Sequence, residues 1–208
     1  MALELKDLPP DRITEAVDVL SDAFFAYPVM RFVIGQAGNA YGQRLRTLVH
    51  FFTAARFVRN DLVMAVATDE DRIVAVANVN RPGERESPSR LDELRKQVWR
   101  ELGDAARSRY EAYGEVTRRF VIDEPHYHLG MLGVHSSYAG QGLARRLLDA
   151  LHERSYHDRE SCGVTLNTED PRNIPLYEHF GYRVIGQGRV SDKLQTWAFY
   201  RHDAQAAE

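Results

Sequence analysis

One stretch limits the fold more than any other: "HSSYAGQGLARRLL", His135 to Leu148, with the residues on either side of it. Leu143, Leu147, Leu148 and Leu151 recur at helical spacing directly after Gly140 and Gly142, and "HYHLGMLGVH" before them reads as a strand. A strand, a glycine-rich turn and a helix together form a general anion-binding device. The first helical N–H groups lack intrahelical partners, and the helix dipole places partial positive charge there. Glycines admit close backbone approach because no Cβ intervenes. Two glycines alone fit a plain helix-starting turn equally well. A P-loop would need Gly-Lys-Ser/Thr, whereas the chain has Gly142-Leu143-Ala144. A dinucleotide fingerprint would need a glycine three residues after Gly142, where Arg145 stands.

The rest of the chain supplies a mixed sheet for this unit. Ile13, Ala16, Val17, Leu20, Ala23 and Phe24 predict a helix that Pro28 prevents from running past Tyr27. A second helix is expected from about residue 40 to 57. "LVMAVAT" and "RIVAVANV" predict an antiparallel hairpin over 62–68 and 72–79. Pro82, Gly83 and Pro88 then break the pattern. A charged helical segment follows, with Leu91, Leu94, Val98 and Leu102 on its apolar stripe. Its aromatics Trp99, Tyr110, Tyr113 and Phe120 could line a pocket, with core packing as the default reading. After the glycine loop come a buried strand at "CGVTLNTE", a short helix at "DPRNIPLYEHFGY" ended by Gly181, and two closing strands. The expectation is an α/β chain forming one domain over 1–208, with a helical insert at about 85–120.

Composition narrows the function. A net charge of -3 gives no basic footprint for nucleic acid, and no apolar run approaches the ~20 residues of a membrane span. The beginning "MALELKDLPPDRI" lacks the basic and apolar regions of a secretory signal. Cys162 is the only cysteine, which excludes an intrachain disulfide and fits a reducing cytoplasm.

The glycine loop resembles the coenzyme A loop of the GNAT superfamily of N-acetyltransferases. That signature is Gln/Arg-x-x-Gly-x-Gly/Ala after a strand ending in hydrophobic-x-Val. Leu132-Gly133-Val134 matches the strand end, and Gly142 and Ala144 match the last two loop positions. Ala139 replaces the first, which removes one side-chain contact but no backbone donor. "LNTEDPRNIPLYEHFGYRV" is similar to the second GNAT signature, with Asn173 and Tyr177 on the helix after the next strand. The form Arg172-Asn173-x-Pro175-x-Tyr177-Glu178 resembles the branch containing puromycin N-acetyltransferase, as do "AFFAYPVMRFVI" and "HYHLGMLGV". The resemblance covers most of residues 13–188. It implies the GNAT fold: a mixed, mostly antiparallel sheet flanked by helices.

It also implies the parts of an acetyl transfer from acetyl-CoA. Backbone N–H groups of Ala139, Gly140, Gln141, Gly142, Leu143 and Ala144 would face the pyrophosphate. The strand at Leu132, Gly133 and Val134 would pair with the pantetheine arm and offer an N–H to the oxyanion. Tyr177 matches the family's general acid at the leaving sulfur, though alone it reads as a core tyrosine. Asn173 would contact the pantetheine or anchor its helix. Asn167 stands where related sequences often carry Glu. The amine must lose a proton before it attacks, since alkylamines titrate near ~10.4. Glu124, His126 and His128 are three open candidates for that base. His126 and His128, two apart, would share a face of a regular strand. Catalytic zinc needs three protein ligands and no third is evident, so no metal is expected.

The expected function is transfer of the acetyl group to a primary amine of a small molecule, an antibiotic or a metabolite, by direct attack in a ternary complex. Two alternatives stay open: peptide or protein amines as acceptors, and a non-catalytic acyl-CoA-binding regulatory domain. Neither nucleic acid nor membrane is an expected partner, and the sequence is compatible with a homodimer.

Overall fold

The two β-branched runs of the hairpin form the middle of a sheet because neither face can be left in water. In a computed structural model describing residues 3–83 and 88–203, strand β2 (Leu62–Thr68) is buried at every position. Its partner β3 (Ile73–Asn80) is buried at all but the last. A strand buried on both faces needs cover on both sides. Helices α1 (Ile13–Ala23) and α3 (Tyr41–Val58) supply one layer and α6 (Leu143–His157) the other.

The sheet has seven strands in the order β1-β2-β3-β4-β5-β7-β6. The remaining strands are β1 (Leu3–Asp7), β4 (Tyr127–Val134), β5 (Gly163–Thr168), β6 (Arg183–Ser191) and β7 (Leu194–His202). Every pairing is antiparallel except β4 with β5. That single parallel step requires a long crossover, which α6 provides.

Two elements were not expected from the sequence. β1 is a short, charged edge strand whose "LELKD" has little alternation to reveal it. Helix α1 ends at Ala23, short of the limit that Pro28 sets, and Pro28 begins helix α2 (Pro28–Ile34) as its first residue. Proline is favoured there because the first helical N–H has no intrahelical acceptor to lose. The expected hairpin, both N-terminal helices and the closing β-α-β-α-β-β order are all present, with α7 at Ile174–His179.

The insert consists of two helices, α4 (Ser89–Leu102) and α5 (Asp104–Thr117), divided at Gly103 with φ 79°. Its expected beginning near residue 85 lies outside the described residues. Phe120, just beyond α5, lies on β6: a Cβ at Gly186 would collide with its ring. Among the described residues, no helix is long and apolar enough to cross a membrane.

Candidate active site

The site begins with a defect in β4. On one side β4 pairs with β3, where Asn78 faces Met131 and Val79 faces Leu129, so Gly130 is left without a partner. This bulge shifts the two-residue alternation by one position. Tyr127 and Leu129 pack in the α6 layer, whereas Met131, beyond the bulge, packs in the α1–α3 layer. On the other side β4 pairs with β5 only from Tyr127 to Leu129, opposite Val164 to Leu166. β5 continues with β7 to Thr168. The two strands therefore part at Gly130. From there to Val134, the β4 edge facing β5 makes no ladder with it.

A cavity of about 250 Å³ opens at this parting, between the strands and helices α2, α3 and α5. Four titratable side chains in its wall matter for chemistry. Glu169, just past β5, is almost fully buried, and burial raises its carboxyl to about 7. Its Oε1 accepts hydrogen bonds from Tyr113 Oη at 2.9 Å and Thr196 Oγ1 at 2.8 Å. His128 is lowered to about 4 by burial, with the Arg56 charge adding to the effect, so its ring is neutral at pH 7. Its Nδ1 lies 3.0 Å from Thr165 Oγ1. Tyr177 is pushed up to about 12 by burial and by the nearby Glu169. Arg56 enters from α3 over Gly130, where a Cβ would collide with Nη2.

Tyr27 fixes the mouth of α2 to this end of β5. Its hydroxyl lies 2.8 Å from Thr168 Oγ1 and accepts from the Glu169 N–H at 3.2 Å. Asn173 Nδ2 donates to the same Thr168 hydroxyl at 3.1 Å. One buried threonine thus ties together α2, the end of β5 and the turn before α7.

β4 leads directly into the glycine loop. Asp22 of α1 holds its start by accepting the Ser136 N–H at 2.6 Å. Gly142 is the N-cap of α6 at φ 75°, and Gly140 has φ 77°. This left-handed conformation favours glycine. A Cβ added at either would meet nothing within 4 Å, so the space above them is open. No side chain caps α6 and no acidic residue lies in its first turn. Its first N–H groups are therefore free to receive an anion. Arg145, in that turn, stacks on Phe180 at 4.9 Å, although a cation at a helix N-terminus is disfavoured by the dipole. An open loop of donors at the end of a strand with one unladdered edge fits a pyrophosphate with an extended amide arm.

The sequence-predicted residues fall into three groups. His128, Leu132, Asn173 and Tyr177 line the cavity. Tyr177 packs its ring against Tyr182 and Phe199 at 5.8 and 5.5 Å. Leu132 and Val134 are half-buried in the α6 layer. Gly133 lies under α1, where a Cβ would come within 2.8 Å of Ala23 Cβ, so its smallness serves helix–strand approach. Ala139, Gly140, Gln141, Gly142, Leu143 and Ala144 form the loop and the helix start. Glu124 and His126 precede β4 and are absent from the cavity wall. Glu124 accepts from Tyr200 Oη at 3.2 Å, and His126 Nδ1 lies 2.6 Å from the Glu124 carbonyl.

Sequence reasoning missed Glu169 and Arg56. Asn167, singled out as a departure, and Glu169 both line the cavity from the end of β5. Period-two alternation past Asn167 would have pointed to Glu169. Arg56 has no local signal, because its position depends on a bulge at Gly130 in a strand distant in the sequence.

Residues 104–198 match the acetyltransferase (GNAT) domain family. Solved structures share the architecture at low identity. An HPA2-related acetyltransferase from Corynebacterium glutamicum has a TM-score of 0.75 at 21% identity, with 100% of each chain covered. The polyamine N-acetyltransferase of Drosophila melanogaster has a TM-score of 0.61 at 18% identity, covering 97% of this chain and 100% of that one. Arylalkylamine N-acetyltransferase 2 from Aedes aegypti has a TM-score of 0.58 at 15% identity, covering 96% and 98%.

Proposed function

Because residues 104–198 match the acetyltransferase (GNAT) domain family and solved acetyltransferases share the fold, we propose that this chain is a GNAT acetyltransferase that transfers the acetyl group of acetyl-CoA to a primary amine of a small molecule, by direct attack in a ternary complex. The observation that carries this reading is one cavity, at the parting of β4 and β5, walled by a carboxyl near 7 and a phenol near 12. Acetyl-CoA, when bound, supplies the activated acetyl thioester. The loop from Ala139 to Ala144 holds its pyrophosphate by main-chain donors, and the free edge of β4 takes the pantetheine amides.

Glu169 is our base. It fulfils the role first sought among Glu124, His126 and His128, of which only His128 lines the cavity. A neutral His128 near 4 is a poor acceptor for an ammonium proton. An amine with a reference value of ~10.4 gives its proton uphill to any carboxyl, but less steeply to one at about 7 than to an ordinary glutamate at ~4.3. Overall the ammonium loses two protons, one to Glu169 and one that ends on the departing thiol. Tyr177 stays protonated through the neutral range and donates a hydrogen bond to that sulfur as the C–S bond breaks. Main-chain N–H groups beside the bulge at Gly130 would meet the oxyanion.

The resemblance to the puromycin branch, carried by Arg172-Asn173-x-Pro175-x-Tyr177, makes aminonucleosides one acceptor class to assay. Cys162 is separated from the cavity wall and offers no route through an acyl-cysteine. Initial rates with both substrates varied test the direct route. Intersecting double-reciprocal lines, with activity retained in Cys162→Ala, are expected; parallel lines and loss in that variant would rule direct transfer out. Binding of acetyl-CoA with no turnover of any amine would instead support a non-catalytic acyl-CoA-binding domain.

A further inference from the structure

Arg56 is a buried charge in a cavity wall with no carboxylate in contact with it, among the described residues. Its one hydrogen bond is from Nη1 to the Phe52 carbonyl at 3.3 Å, within its own helix. Nε is buried without a hydrogen-bond partner, and no carboxylate lies within ion-pair distance, among the described residues. Burial disfavours its protonated form most strongly; of the charges further away, Asp61 favours that form and Arg59 more weakly disfavours it. Of the other groups facing it, His128 is neutral at pH 7 and Tyr110 is an uncharged phenol. A desolvated guanidinium without a counter-ion is costly, and a ligand anion that pairs with it recovers that cost.

Its position is equally specific. The guanidinium fills the space that a side chain at Gly130 would take, beside the point where β4 and β5 part. With Phe52 and Tyr110 it is shared between the inner cavity and an outer groove of about 850 Å³ along α4 and α5. That groove adds Lys96, Arg100 and Asp104, while its Arg59, Arg95 and Arg107 are paired with Asp61, Asp92 and Glu111, so its balance is positive. An acidic ligand arriving from outside would thus meet a cationic path leading to Arg56. The pyrophosphate loop is a separate place, since Gly130 to Val134 alone spans roughly 13 Å of strand at ~3.3 Å per residue.

We propose that the acceptor is an amine that also carries a carboxylate, with the carboxylate held by Arg56 and the amine turned toward Glu169. Phe52, Tyr110 and Met131 offer apolar surface between the two for an aromatic or aliphatic body. This assignment rests on the acetyltransferase reading and deepens it by naming the acceptor class.

Matched acceptors that differ only in the carboxylate test it: L-phenylalanine against phenethylamine and L-leucine against isoamylamine, with puromycin as an acceptor lacking an acidic group. The full chain with acetyl-CoA is expected to show at least a tenfold higher kcat/KM for the amino acid of a pair. Arg56→Met should cut that preference by about 10- to 100-fold, the range for a hydrogen bond to a charged group. Arg56→Lys should restore part of it. In parallel, 3-phenylpropionate, which has the carboxylate and no amine, should inhibit the wild type competitively with respect to the acceptor; that readout needs no variant. Equal or better use of the decarboxylated amines or of puromycin by the wild type would overturn the acceptor assignment and leave acetyl transfer intact. Thiol release with none of these acceptors would overturn the transferase reading and this assignment with it.

Discussion

Tyr113 Oη donates a 2.9 Å hydrogen bond to Oε1 of Glu169, tying the insert helix α5 to the end of β5. Thr196 of β7 donates to the same oxygen at 2.8 Å. Among the described residues, Oε2 receives no hydrogen bond, which leaves one oxygen for a proton from the cavity. Burial raises the carboxyl to about 7, and the two hydrogen bonds, which favour its charged form, keep it from rising further. The insert thus places a wall on the acceptor side and also sets the basicity of the group behind it.

The first prediction concerns rate against pH. Since the ionised carboxylate is the active form, kcat/KM should rise with pH through about 7 and level off above it. Glu169→Gln should lower kcat by about 10²- to 10⁴-fold, the usual range for loss of a general base. Tyr113→Phe removes a hydrogen bond that favours the charged form, so the rising limb should move to higher pH. Initial-rate profiles over pH 5–9 on the three proteins check all of these.

Stability should carry the same signature with the opposite sense. A folded value of about 7 against an ordinary 4.5 means that the folded state binds the proton more tightly. The contribution is therefore full below about 4.5 and is lost as pH rises through about 7. The difference is a few kcal/mol at order of magnitude. Urea midpoints of wild type and Glu169→Gln, compared at pH 5 and pH 8, should show the variant gaining relative stability at pH 8.

Tyr177→Phe keeps the ring between Tyr182 and Phe199 and removes the hydroxyl alone. Turnover should fall by about tenfold to a hundredfold, while acetyl-CoA affinity changes less than about twofold. Calorimetric binding alongside steady-state rates separates the two. Unchanged kcat would remove the hydroxyl from the reaction.

Gly142→Val places a β-branched side chain at φ 75° and into the open space above the loop. The strain alone is about 1–3 kcal/mol. The Kd for acetyl-CoA should rise by at least about tenfold. An acetyl-pantetheine donor, which lacks the pyrophosphate, should be affected much less. Equal loss for both donors would mean that the loop does not hold the pyrophosphate.

Much of the scaffold was legible in the sequence because its signals are local. The β-branched runs at 62–68 and 73–80, the leucine stripe of α6 and the two glycines ahead of it each follow from neighbouring residues. β1 and α2 escaped notice because a five-residue edge strand and a seven-residue helix behind Pro28 offer little periodicity. The site was less legible for a different reason. His126 was expected on a strand face with His128, but β4 begins only at Tyr127, so just one of the pair reaches the cavity. Glu169 is one of 30 acidic residues; alternation past Asn167 marks its side of the strand, but its burial and basicity come from β7 and α5. Arg56 matters only because the bulge at Gly130 opens space for it. Groups whose chemistry depends on contacts from distant elements leave no local pattern.

The most direct test of the account is mass analysis of the acceptor after incubation with acetyl-CoA and the purified chain, with thiol release followed in the same reaction. The expected result is an amine carrying one added acetyl group, one thiol released for each, and loss of both in Glu169→Gln. Acetyl-CoA bound by the loop with no acetylated amine formed, or full turnover by Glu169→Gln, would contradict it.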